Sequence, residues 1–113
     1  MRKIKFRAWD DVEDKMYYII LGDYETEKLP YLKYMQFTGL YDRKGTPIYE
    51  GDLLQHPNGT IAEIQYSDDL AAFVAVYVQS GNTEMDYLDK EIVNKCIIVG
   101  NIYEHPELLE GEE

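Results

Sequence analysis

Turn chemistry recurs along this chain at intervals too short for helices of ordinary length. Residues 38–52 hold three glycines, one proline and three acids threaded between apolar residues. Glycine supplies positive φ without a steric penalty, and proline pre-sets φ for a turn, so this composition reads as tight turns between short strands. Asp42-Arg43-Lys44-Gly45 fits a type I turn with glycine in the left-handed position after it. Pro47 confines the following piece to a sheet edge or a strand start. Glu50-Gly51-Asp52 reads as a second tight turn. Pro57-Asn58-Gly59 is the strongest hairpin signal, because Asn-Gly accepts positive φ at both central positions.

The segments between the turns carry strand character. Ile4, Phe6 and Ala8 alternate with Lys3, Lys5, Arg7 and Trp9, the period of a half-buried strand whose bases point outward. The acids Asp10, Asp11, Glu13 and Asp14 follow in a hairpin-length loop, where they could form weak exposed pairs with those bases. Residues 16–20 read as the returning strand. Residues 21–34 have no clean period and read as an ordered loop or short irregular element. Further strands are expected over residues 35–38, 46–49, 53–56, 60–66, 73–78 and 97–103. Residues 67–69 suit either a turn or the cap of a short helix starting at Leu70. Residues 73–78 are almost wholly apolar, as in a strand buried on both faces or at an interface. Residues 80–83 read as a turn, and residues 84–95 fit helix and strand about equally. Residues 104–109 allow at most one helical turn, and the glutamate-rich tail behind them is expected to fray.

These segments predict a mainly β chain: a small antiparallel sheet or barrel-like domain, SH3-like or a sandwich, with at most one or two short helices. A length of 113 residues suits one domain. It divides into an N-terminal hairpin (residues 2–20), a central β region (residues 35–79), and a C-terminal strand with acidic tail (residues 97–113).

Charge is uneven. The net formal charge is −11, and four of the 11 bases are Arg2, Lys3, Lys5 and Arg7, so residues 8–113 carry 7 bases against 22 acids, a net of −15. Such a surface repels nucleic acid at long range, so no direct nucleic-acid binding is expected. No apolar run approaches the roughly 18 residues of a membrane span. The basic opening has no apolar stretch behind it, and Cys96 is the single cysteine. A reducing cytoplasm is the expected setting.

The candidate chemistry is sparse. His56 and His105 have no second ligand at metal spacing. In the acid cluster, Val12 and Lys15 occupy the third and sixth positions of a would-be calcium loop, where a ligand and a glycine are required. Carboxylate pairs could be drawn from Asp52, Asp68, Asp69, Asp86 and Asp89, but 22 acids in so short a chain bring acids together by chance. Cys96 lies in an apolar strand segment, where burial lowers thiol reactivity. No nucleophile elbow, phosphate loop or dinucleotide fingerprint occurs. The expectation is a chain with no catalytic residues, no cofactor and no metal site. Eleven tyrosines raise the aromatic share to 13%; together with residues 73–78 they point to subunit contact.

Three blocks carry a resemblance. The first is Lys5-Phe6-Arg7-Ala8-Trp9-Asp10 followed by Lys15-Met16-Tyr17. The second, residues 35–52, includes Phe37-Thr38-Gly39-Leu40, Asp42, Gly45 and Ile48-Tyr49-Glu50-Gly51-Asp52. The third runs from Val99-Gly100-Asn101-Ile102-Tyr103 to Leu109. Together they resemble the YopX family of phage and prophage proteins. The resemblance implies a small, mainly β protein able to self-associate, and it implies no catalytic residues, cofactor or substrate. The expected function is a phage or prophage accessory protein, a non-enzymatic homo-oligomeric binding module with a possible host protein partner. The alternative is an acidic inhibitor or DNA mimic of a host nucleic-acid-binding enzyme, and behind it an unrecognised hydrolase.

Overall fold

β1 (Lys5–Asp10) lies between two partners. It pairs antiparallel with β2 (Lys15–Ile20) and with β3 (Leu32–Tyr41), and β3 carries the short edge strand β4 (Pro47–Tyr49), giving the order β2-β1-β3-β4. The computed structural model describes residues 5–20, 32–79 and 82–110. A second antiparallel sheet holds β5 (Asp52–Gln55), β6 (Ile61–Ser67), β7 (Ala72–Gln79), β8 (Asn82–Tyr87) and β9 (Ile97–Asn101) in the order β8-β7-β6-β5-β9. Two four-residue helices complete the described elements, α1 (Lys90–Val93) and α2 (Glu107–Glu110). The chain is thus mainly antiparallel β with two short helices, the expected class.

The turns follow their residues, with one correction. The Gly45 N–H donates to the Asp42 carbonyl at 2.9 Å, and Gly45 has φ +84°. Pro47 begins the edge strand β4, where its missing N–H removes no ladder bond. At the β5–β6 hairpin the same pattern repeats: Gly59 donates to the His56 carbonyl at 2.8 Å and takes φ +94°. Asn58 keeps negative φ, so the expected positive φ at both Asn58 and Gly59 is wrong. Pro57 decides this. It locks its own φ near −65°, which a type I turn needs at that position and the mirror-image turn forbids.

Other boundaries also shift. Residues 32–34, expected in an irregular segment, already belong to β3, while residues 21–31 lie outside the described residues. The open choice over residues 84–95 resolves into both elements, β8 and then α1, with Asp89 as N-cap accepting from the Glu91 N–H. Residues 68–71 form a turn with Ala71 at φ +53°, and the Ser67 hydroxyl accepts from the Leu70 N–H. Asn82 and Thr83, expected in a turn over residues 80–83, are strand, paired with Gln79 and Val78, while residues 80–81 lie outside the described residues. Cys96 precedes β9 instead of lying within it. β9 itself stops at Asn101 rather than running to Tyr103. The Asn101 carboxamide oxygen accepts from the Tyr103 and Glu104 N–H groups at 3.0 and 2.8 Å, turning the chain away from the sheet.

β1 departs most from its expected alternation. Arg7, Ala8, Trp9 and Asp10 are all buried. A strand with neighbours on both sides loses its polar-out pattern once something covers the second face. Ala8 stands in register with Tyr17 on β2 and Tyr34 on β3, while Arg7 faces β5. The expected pairing of the first-strand bases with the loop acids fails accordingly: Arg7 pairs elsewhere, and Asp10 accepts from the Val12 and Glu13 N–H groups. Arg2 and Lys3 lie outside the described residues, as do residues 111–113 of the tail.

The core gathers Ile48, Leu54, Ala62, Ile64, Ala75, Val93 and Cys96, so β4, β5, β6, β7 and α1 all contribute to it. Adjacent residues Val74 and Ala75 are both buried, so β7 is covered on both faces at its middle, whereas Phe73, Val76 and Tyr77 keep partial exposure.

Gly100 on β9 is needed for what lies against it. A Cβ there would sit 2.6–2.9 Å from Nδ1, Cγ and Cβ of His105. Those atoms lie near the root of a ring that is itself fixed, because His105 Nδ1 accepts from the Asn101 N–H and the His105 N–H donates to the Asn101 carbonyl. Gly100→Ala is therefore expected to destabilise the protein by about 1–3 kcal/mol through overpacking, measured by urea unfolding. An unchanged midpoint would show that the ring can swing clear.

Candidate functional site

The three sequence blocks meet at one buried ion pair. Arg7 on β1 donates from Nη2 to Asp52 Oδ1 at 2.8 Å, and both side chains are almost fully buried. The same nitrogen donates to the Glu50 carbonyl at 3.1 Å, and Nε points at the Met35 sulfur at 3.4 Å. Asp52 Oδ2 accepts from the Tyr49 N–H at 2.8 Å. The guanidinium lies 4.8 Å from the centre of the Tyr49 ring. Gly51, at φ +86°, makes this possible, since a Cβ there would stand 3.0 Å from the Met35 sulfur and 3.7 Å from Arg7 Nη2. Burial pushes the Asp52 carboxyl above the ordinary aspartate range, while Arg7 and the Tyr49 N–H pull against it.

A depression of about 370 Å³ opens beside the pair. Tyr18, Tyr49, Pro47 and Ile98 give it aromatic and apolar walls, and Arg7 and Asn101 give it polar edges. Tyr18 and Tyr49 meet edge to face at 5.7 Å. Arg7 uses Nε and Nη2 for its protein contacts, leaving Nη1 as the part of the cation free to take an outside acceptor. What the arrangement offers chemically is a held cation among tyrosines.

Other polar residues of the blocks are also engaged internally. Asp42 Oδ1 accepts from the Lys44 and Thr46 N–H groups, and its Oδ2 accepts from the Ile98 N–H at 3.0 Å, fastening the β3–β4 turn to β9. Glu50 accepts from the Gln36 N–H at 2.7 Å. Trp9 stacks on Tyr103 at 6.0 Å, joining the first block to the third.

The acids considered for paired-carboxylate chemistry are dispersed. Asp52 is in the buried pair, Asp68 and Asp69 lie in the β6–β7 turn, Asp86 is on β8, and Asp89 caps α1. His56 lies 2.6 Å from the Tyr77 hydroxyl. Among the described residues, no group of three or more His, Cys, Asp or Glu is placed to hold a metal, and no helix is long and apolar enough to cross a membrane. Sequence reasoning missed Arg7, treating it as one of several exposed bases. Its pairing with Asp52, across 45 positions, leaves no local signal.

The model of the YopX protein family matches residues 20–110. The chain belongs to the YopX family. Among solved structures, this YopX chain is similar to the crystal structure of protein EF1440 from Enterococcus faecalis, with 26% identity and a TM-score of 0.53 over 94% of this chain and 97% of that one. No curated protein sequence matches.

Two measurements probe this site. Breaking a buried pair strands a charge, whereas replacing both partners with apolar groups need not. Arg7→Met alone and Asp52→Leu alone are each expected to cost about 3–5 kcal/mol in urea unfolding, and the double variant less than either. Additive losses would show that the pair acts as two independent contacts. Cys96 gives the second. Burial pushes its thiol up, and the Asp42 carboxylate adds to the rise. The folded state thus favours the protonated thiol: that contribution to stability is complete below the ordinary value of 9.0 and is lost as pH climbs through the higher folded value. Iodoacetamide at pH 8 is expected to label native Cys96 at least about tenfold more slowly than the urea-unfolded chain. Equal rates would mean that the thiol is accessible.

Proposed function

We propose that this YopX protein is a non-enzymatic phage or prophage accessory protein that acts by binding, as a homo-oligomer in the bacterial cytoplasm. One observation carries the reading. The buried polar side chains of the three family blocks are engaged with one another and with the backbone: Arg7 with Asp52, Asp42 with three N–H groups, and Asn101 with two. Side chains engaged in this way hold strands and turns together. The exposed surface instead offers Tyr18, Tyr34, Tyr41, Tyr66 and Tyr87, and tyrosine gives large contact area at small entropic cost.

Self-association is best served by β8, the last strand of the second sheet. Met85 and Tyr87 are 51% and 63% exposed and, two residues apart, share one face. Across the β7–β8 ladder Met85 stands beside the partly exposed Val76, which extends the patch, while Tyr87 stands beside the buried Val74. Glu84 and Asp86 alternate with them, and acids on an edge strand oppose edge-to-edge pairing of like copies. A second copy therefore seats on the Met85–Tyr87 face. Light scattering at micromolar concentration is expected to report an oligomer for the natural chain and a monomer for Met85→Ser/Tyr87→Ser. A monomeric natural chain would overturn the self-association, and an oligomeric variant would move the interface elsewhere.

A further inference from the structure

A second depression, of about 310 Å³, breaks the acidic pattern of the molecule. Its rim carries Arg43 from the β3–β4 turn, Lys95 from the α1–β9 connection and His56 from the end of β5. Gln55, Pro57 and Ile97 line the rest of it with the backbone of Gly59. In a chain with twice as many acids as bases, cations ordinarily find carboxylates. Here they do not: among the described residues the single ion pair is Arg7–Asp52. Asp42, the acid nearest in sequence to Arg43, turns its carboxylate to three backbone N–H groups.

The rim is also built on fixed backbone. The Arg43 N–H donates to the Cys96 carbonyl at 2.8 Å, which sets Arg43 beside Lys95. Ile97 pairs with Gln55 in the sheet, and the His56 N–H donates to the Thr60 carbonyl at 2.8 Å. The His56 ring is held 2.6 Å from the Tyr77 hydroxyl and inclined to its ring. The backbone that carries the two cations is therefore already in place, and binding has to order only their side chains.

We infer that this depression binds the phosphate group of a small phosphorylated molecule. Arg43 presents a planar fork suited to a bidentate oxyanion contact, and Lys95 adds a second positive charge. Two cations balance a phosphate monoester, which carries about −1.5 to −2 near neutral pH, better than they balance a single carboxylate. The volume sits at the lower end of small-molecule sites, roughly 300–1,000 Å³. The net charge of −11 disfavours a long polyanion that would extend past the basic rim, so the ligand is a small molecule and not a nucleic-acid strand.

The test is titration of the isotope-labelled full chain, followed by backbone amide NMR at constant ionic strength. The probes are inorganic phosphate, a nucleoside monophosphate, acetate and a short single-stranded oligonucleotide. Phosphate and the monophosphate are expected to give saturable shifts at residues 43, 56 and 95. Arg43→Gln and Lys95→Gln should each weaken binding about tenfold or more, the effect of losing one charge-assisted contact. Lys90→Gln, an exposed cation on α1, serves as the control and should change nothing. Both Arg43 and Lys95 are exposed and donate no side-chain bond to the fold, so the variants keep the native spectrum. Non-saturable shifts, or shifts indifferent to both substitutions, would overturn the site. Acetate binding as tightly as phosphate would overturn the assignment to phosphate. Tighter binding of the oligonucleotide than of the monophosphate would overturn the small-molecule ligand.

Discussion

The Arg7–Asp52 pair is the contact on which the two sheets depend. It joins an inner strand of the first sheet to the opening residue of β5 in the second. Burying two charges costs several kcal/mol for each ion, and that cost is offset only when the geometry is close and the remaining polar atoms are satisfied. The geometry is close, and apart from Arg7 Nη1, which faces the depression, the polar atoms of the pair are engaged. Asp52 takes a backbone N–H on its second oxygen, and Arg7 reaches a backbone carbonyl and an aromatic face. A pair so constrained tolerates one arrangement of its neighbours, which ties the position of β1 to the turn over residues 50–52.

Backbone hydrogen bonds extend the same linkage. The Gly51 N–H donates to the Ile64 carbonyl, and the Ile102 N–H to the Gly51 carbonyl, both within 2.9 Å. The Glu50 N–H donates to the Gln36 carbonyl in the first sheet. The turn beside the ion pair thus reaches β3, β6 and the segment after β9. Tight turns in this protein are junctions as well as reversals, and that gives the glycines and the buried polar residues of the family blocks a structural role.

Much of the fold was legible in local chemistry. Gly45, Gly51 and Pro47 could be assigned to turns and an edge strand because each requires a backbone conformation that few other residues share. Asn58-Gly59 misled at the level of turn type, since Pro57 before it constrains the hairpin more strongly than Asn-Gly prefers the mirror-image turn. The alternation at residues 4–9 misled more seriously. A base at an outward position reads as solvated unless a carboxylate waits in another strand, and nothing near Arg7 in sequence says that one does. The depression ringed by Arg43, His56 and Lys95 was equally hidden, because its three cationic or titratable residues come from three separate connections.

The sequence by itself determined the β character, the places where the chain reverses and the family. Those properties rest on φ preferences, short-range periodicity and residue blocks read along one dimension. Only the tertiary structure decided which charges are buried, where the cations lie unpaired and which apolar residues remain open on β8. These are distances between segments far apart along the chain, and local preference does not encode them. Arg7 and Lys95 are both bases followed by a small apolar residue in the sequence; packing makes one a buried structural cation and leaves the other at the rim of a surface depression.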